Sequence, residues 1–193
     1  MDSVDYYNKY ANAYFDTTVA LDMSDVLERF IDMLEPNATV LDLGCGSGRD
    51  SKILIENNFE VTLLDASSEL AELADIYTGV EPLVMDMRDM DFDSVFDGIW
   101  ACASLLHLPK DDMKDMLRKI SDALKEGGIC YLSVKKGDFE GFRQERYYSD
   151  YEPLELKMLL EDVGSFEDIE IWENEDARIE GQEWVNALIK KKG

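Results

Sequence analysis

At 193 residues and 46% hydrophobic content, the chain is long enough to bury a real core and is read as one domain over residues 1–193. Its formal net charge is -24, from 43 acidic against 19 basic side chains; such a field repels phosphate backbones and argues against nucleic acid as a partner. No apolar run approaches the length that crosses a bilayer, which argues against a membrane. The opening "MDSVDYYNKYANAYFD" has neither the basic start nor the apolar stretch of a secretory signal, so the expected compartment is the cytoplasm. Cys45, Cys102 and Cys130 are odd in number and scattered, which suggests free thiols and no metal site.

In chain order, Val4, Tyr7, Ala11 and Tyr14 recur at helical spacing and predict a helix over 3–15. Ser24 is placed to cap a second helix whose inner face is Val26, Leu27, Phe30, Ile31 and Leu34, with Pro36 just past its end. "TVLDL" (39–43) reads as a buried strand, "RDSKILIEN" as a helix, "EVTLL" (60–64) as a second strand and Ser68–Tyr77 as the next helix. "PLVM" (82–85) and "FDGIWAC" (96–102) are the third and fourth strands. Met113, Met116, Leu117, Ile120 and Leu124 form the apolar side of a long helix that Gly127 and Gly128 are expected to end. "ICYLSV" (129–134) is a fifth strand, a helix near 153–163 stops at Gly164, and two further strands lie near 166–172 and 183–190. The acidic stretch 173–183 is expected to be a solvated loop between them. Strands alternating with helices in this way predict an α/β fold, a doubly wound and mostly parallel sheet with helices on both faces.

In such a sheet, ligands bind at the carboxyl ends of the strands. The first strand runs into Gly44, Gly46 and Gly48, which allow close backbone approach, and the following helix offers unpaired N–H groups to an anion. A dinucleotide loop reads G-x-G-x-x-G; here Arg49 takes the third glycine's place and Asp42 stands two residues before the first. Asp65 ends the second strand at about the twenty-residue offset where an acid grips ribose hydroxyls.

This D-x-G-x-G-x-G loop, with "VTLLDAS", "VMDMRDM", "FDGIWACASLLHL" and "LKEGGICYLSV" following in order, resembles the class I S-adenosylmethionine-dependent methyltransferases over nearly the whole chain. The resemblance implies a Rossmann-like sheet of seven strands, order 3-2-1-4-5-7-6, the last antiparallel. It implies S-adenosylmethionine as cofactor, S-adenosylhomocysteine as product, and a methyl group passed to an unidentified small molecule. The cofactor residues it implies are Tyr14, Gly44, Cys45, Gly46, Arg49, Asp65, Ala66, Ser67, Asp86, Met87, Ala101, Cys102 and Ala103. Asp86 would meet the adenine amino group and the Met87 N–H the ring, with a solvated loop acid as the other reading at Asp86. Residues 1–35 would form a helical lid or cap on a core over 36–193; the tyrosines of the first helix are also readable as a packing stripe.

His107 is the only histidine, and its ordinary pKa suits a proton shuttle, which makes it the one candidate for catalysis; packing near the cofactor or capping the next helix is the favoured reading. Tyr6, His107, Arg146 and Tyr147 are candidate acceptor contacts. Arg143 and Arg146 together could orient a carboxylate, or could be spent on surface ion pairs. Two other functions stay open: a non-catalytic module that binds S-adenosylmethionine or S-adenosylhomocysteine, and a nucleotide-dependent oxidoreductase, from which the third glycine is missing.

Overall fold

The computed structural model describes residues 3–176 and 179–193. Helices α1 (Ser3–Lys9), α2 (Ala11–Thr18) and α3 (Ser24–Ile31) precede β1 (Thr39–Leu43), α4 (Arg49–Glu56), β2 (Glu60–Asp65), α5 (Ser68–Thr78), β3 (Leu83–Val84) and β4 (Phe96–Ala101). There follow α6 (Lys110–Ala123), β5 (Leu124–Lys135), β6 (Glu140–Arg143), β7 (Arg146–Ser149), α7 (Pro153–Val163), β8 (Phe166–Glu175) and β9 (Glu183–Lys191). Seven strands make one sheet in the order β3-β2-β1-β4-β5-β9-β8. The first five are parallel to one another, and β9 lies antiparallel between β5 and β8. Counting β8 and β9 as the sixth and seventh strands, this is the 3-2-1-4-5-7-6 order that the resemblance implies.

The period of two along each strand sorts side chains between the faces. Leu41, Leu43, Ile99, Cys130, Leu132, Val185 and Ala187 pack with Met113, Leu117 and Ile120 of α6 and Leu156 and Leu160 of α7. On the other face Val40, Trp100, Ile129 and Tyr131 pack against Leu27 and Phe30 of α3 and Leu54 of α4. Trp100 stacks on Tyr131 with ring centroids 4.1 Å apart, a contact worth about 1 kcal/mol beyond its burial. Its indole N–H donates to Asp50 Oδ2 at 2.9 Å, which fixes the start of α4 beneath the glycine loop.

Several local expectations change. The N-terminal helix breaks at Tyr10 into α1 and α2. Ser24 is the first residue of α3, not its cap; Asp22 Oδ1 accepts from its backbone N–H at 2.9 Å. Helix α3, grouped with the lid in sequence, is packed into the sheet through Leu27 and Phe30. Helix α6 ends at Ala123, and Leu124, Gly127 and Gly128 belong to β5, where a bulge loops out residues between the pairs Phe96–Leu124 and Gly98–Ile129. Strand β8 extends to Glu175, so the acidic connection shrinks to 176–182, of which 177 and 178 lie outside the described residues.

One element has no counterpart among the expectations. Strands β6 and β7 form a hairpin, Glu140↔Ser149 to Arg143↔Arg146. Its two turn residues, Gln144 and Glu145, both have positive φ, at 49° and 68°. That geometry ordinarily draws Asn-Gly or Asp-Gly, which is why the sequence concealed it.

Candidate functional site

The carboxyl ends of β1, β2 and β4 open into a cavity of about 280 Å³ whose lining includes Gly44, Gly46, Asp65, Ser67, Met87 and Ala103. Asp65 stands at its centre. Its Oδ2 accepts from the Gly46 N–H and its Oδ1 from the Ser67 N–H, both at 2.8 Å. Burial pushes this carboxyl upward while those backbone donors hold it down. A carboxylate has about four lone-pair sites, so two remain for hydroxyl donors in the cavity. Gly44 is held at φ 81°, and a Cβ there would lie 2.5 Å from Ser104 Cβ. Gly48 serves packing instead: its missing Cβ would lie 2.8 Å from Thr78 Cγ2 of α5. Gly44→Ala is expected to cost about 3 kcal/mol in denaturant unfolding, from left-handed backbone strain and overpacking together.

Ser104 sits where the Gly44 side chain would have been. It is 6% exposed, and its Oγ has no hydrogen-bond partner among the described residues although it lines the cavity. An orphaned hydroxyl beside a glycine cradle fits a polar ligand lying between them. Sequence reasoning passed over Ser104, because a serine after a strand carries no local sign of being stripped of partners.

The remaining expected cofactor positions divide. Tyr14, Ala66, Asp86, Met87 and Cys102 also line this cavity. Asp86 caps the turn at Met87–Asp89 and is gripped by Arg88, whose Nε and Nη2 donate at 3.0 and 2.7 Å. That pairing holds Asp86 below the usual carboxylate range, and an incoming amino group would share it. Cys45 and Arg49 fall in a small adjoining recess of about 30 Å³, with Asp42 and Asp50. Arg49 is clamped by Asp50, its Nε and Nη2 donating at 2.6 and 2.7 Å. Asp42 is buried and accepts the Ser51 hydroxyl at 2.5 Å; burial, then the nearby Asp50, raise its carboxyl to about 7. Ala101 lines none of these cavities. It shares the phase of Ile99 and is wholly enclosed on the α6 face, so the wall begins one residue later. Burial raises the Cys102 thiol to about 12, which keeps it a neutral wall and not a nucleophile.

Helix α1 closes one side of the cavity and is pinned at three points. The Ser67 hydroxyl donates to Asn8 Oδ1 at 2.7 Å, the Tyr147 N–H donates to Ser3 Oγ at 3.0 Å, and Tyr7 meets His107. His107 Nδ1 lies 2.7 Å from the Tyr147 carbonyl oxygen, so that nitrogen carries the proton and donates. Nε2 then accepts from the Tyr7 hydroxyl at 2.8 Å. Burial lowers His107 to about 4, so the ring is neutral and both its nitrogens are engaged. This is a positioning arrangement: forming imidazolium here is costly, which disfavours the proton shuttle. The stability it gives is present above the unfolded pKa of about 6.5 and is lost as pH falls toward 4. Between those limits the chain should lose on the order of 3 kcal/mol more than a His107→Gln variant, read by chemical unfolding at each pH.

A second cavity, of about 380 Å³, lies behind Tyr7, Tyr14, Ala103 and His107, which line both. It gathers Tyr6 and Arg146, two of the candidate acceptor contacts; His107 stands in the shared wall and Tyr147 lines the first cavity. Arg143 is spent on Asp150, to which its Nη2 donates at 2.6 Å, whereas Arg146 has no ion pair among the described residues. Ala103 holds φ 54°, a conformation that costs a non-glycine residue about 1 kcal/mol or more, at the junction of the two spaces.

Residues 40–128 match a family model described as a methyltransferase domain. The chain is 36% identical over 99 residues to the cypemycin N-terminal methyltransferase of a Streptomyces species, covering 49% of this chain and 40% of that one. It is 28% identical over 192 residues to the ubiquinone biosynthesis O-methyltransferase of Xanthomonas axonopodis pv. citri (strain 306), covering 84% of this chain and 79% of that one. The match thus spans less than half the length of the first relative and most of the second. Among solved structures, the 1,6-didemethyltoxoflavin-N1-methyltransferase of Burkholderia thailandensis superposes with a TM-score of 0.77 at 24% identity, covering 98% of this chain and 85% of that one. That protein was solved with 1,6-didemethyltoxoflavin and S-adenosylhomocysteine bound.

Proposed function

We propose that the chain is a class I S-adenosylmethionine-dependent methyltransferase that methylates a small-molecule acceptor, a reading supported by its methyltransferase-domain match and its relatives. One observation carries the reading: an acid at the end of β2, fixed by two backbone N–H groups, faces a cavity that also holds an unpartnered serine hydroxyl. Asp65 would hold the ribose, Met87 and Asp86 the adenine, and Gly44, Gly46 and Ser104 the amino-acid end. When bound, S-adenosylmethionine would supply an electrophilic methyl on a sulfonium to a lone pair of the acceptor.

The protein's own part is to position and to exclude water. Asp65, held ionised by two backbone N–H donors, places negative charge beside the glycine loop, a field that favours a cation there. Tyr7 and His107 hold the wall between the cavities. A small acceptor is supported by the size of the two cavities and by the net charge of -24, which repels a polyanion. No helix among the described residues is long and apolar enough to cross a membrane. The three free thiols agree with the reducing cytoplasm.

Calorimetry with S-adenosylmethionine, followed by mass spectrometry of products from a panel of small phenols, amines and acids, tests the proposal. Binding in the micromolar range with methylation of a panel member is expected. No binding removes the methyltransferase reading, and binding without turnover on any acceptor turns it toward a cofactor-sensing module.

A further inference from the structure

Acids outnumber bases 43 to 19 in this chain, yet the second cavity holds two cations that no carboxylate neutralises among the described residues. Arg146 lies with its guanidinium 4.5 Å from the Tyr6 ring centre and 5.3 Å from that of Tyr148. Its Nε is buried without a hydrogen-bond partner among the described residues, and its Nη1 reaches the Tyr7 hydroxyl only at 3.5 Å. Lys135 Nζ stands 4.8 Å from the Tyr148 ring centre and 6.0 Å from the Trp184 ring. Two acids act on it from a distance without pairing with it: Asp150, which is held by Arg143, and Asp176, which accepts from the Trp184 indole N–H at 2.8 Å. Both free cations therefore flank one aromatic ring inside a cavity walled by aromatics.

Two like charges kept together, partly desolvated and unpaired, are unfavourable in the empty protein. Burial and the neighbouring Arg143 and Arg146 lower the pKa of Lys135, which is the same cost seen from the lysine. An incoming anion would remove that cost, and a guanidinium edge matches a carboxylate in particular. Tyrosine and tryptophan faces take flat apolar rings. The shared wall of Tyr7, Tyr14, Ala103 and His107 places such a ring next to the cofactor cavity.

We infer that the acceptor is a planar aromatic carboxylate, its acid group on Arg146 and Lys135 and its ring among Tyr6, Tyr148 and Trp184. This rests on the methyltransferase reading for the identity of the second cavity as the acceptor site. The carboxylate is the anchor, and the atom methylated lies away from Arg146, toward Tyr14 and Ala103 in the wall shared with the cofactor cavity.

The test is calorimetry of the full chain with 2-naphthoate and its neutral isostere 2-naphthamide at low salt, with and without S-adenosylhomocysteine. The acid is expected to bind about tenfold more tightly than the amide, as a charge-assisted bond predicts. Arg146→Gln should abolish that preference, and Lys135→Gln should reduce it, while amide binding stays as it was. Circular dichroism reports whether each variant is folded, and the wild-type preference stands as a test by itself. Equal binding of acid and amide, no binding of the acid, or a preference that survives in both variants overturns the inference. S-adenosylhomocysteine binding without acid preference removes this proposal and leaves the methyltransferase reading. Acid preference without S-adenosylhomocysteine binding keeps the anion site and removes that reading.

Discussion

Deleting residues 1–16 is expected to leave a folded chain that binds S-adenosylmethionine more weakly and has lost methyl transfer. Helix α1 has no fully buried residue, and α2 contributes only Ala11 and Thr18. The sheet's two large packing clusters take nothing from before Val26, so the hydrophobic core survives the cut. What goes is the cover: Val4, Tyr7 and Tyr14 on the cofactor cavity, and the Asn8–Ser67, Ser3–Tyr147 and Tyr7–His107 bonds that seat it. Misplacing bound reactants by about an ångström costs on the order of a hundredfold in rate, and an open cleft does at least that. Tyr14→Ala, which removes one ring common to both cavities, should show a milder form of the same defect. Hydrogen exchange over α1 and α2 should slow on adding cofactor, since closure protects their amides. A truncated chain that unfolds, or one that still transfers methyl at the full rate, would show that these helices are packing and not a lid.

The second large effect is expected at Asp65. Asp65→Ala removes the carboxylate proposed to hold the ribose and also releases the Gly46 and Ser67 N–H groups that it orients. Hydrogen bonds to a charged group are worth roughly 1.5–3 kcal/mol each, so the cofactor should bind about 3 kcal/mol more weakly, on the order of a hundredfold in Kd. Because burial works against the ionised carboxyl, its removal should cost the apo fold much less than it costs binding. Calorimetry with S-adenosylmethionine and a thermal melt of the apo protein separate the two. Undiminished binding would take Asp65 out of the site.

The chain order of strands and helices was legible because each element keeps its own hydrophobic period: β1 alternates Val40 and Asp42 against Leu41 and Leu43, and α6 spaces Met113, Leu117 and Ile120 along one side. The glycine loop and Asp65 were legible because a tight turn at a strand end needs residues without side chains, and a ribose needs an acid at a fixed distance along the chain. These are local requirements, and a sequence carries local requirements in its spacing. Tertiary structure alone decided the rest. The β6–β7 hairpin hides behind a Gln-Glu turn that has no hairpin character of its own. The exclusion of Ala101 from the cavity depends on which face of β4 is enclosed by α6. The lack of a partner for Ser104 Oγ among the described residues and the neutral state of His107 between Tyr7 and the Tyr147 carbonyl follow from residues far apart in sequence, and that Arg143 pairs with Asp150 while Arg146 has no ion pair among the described residues follows from the hairpin between them. Spacing says what a segment prefers; desolvation and pairing depend on what else arrives, and only the folded chain fixes that.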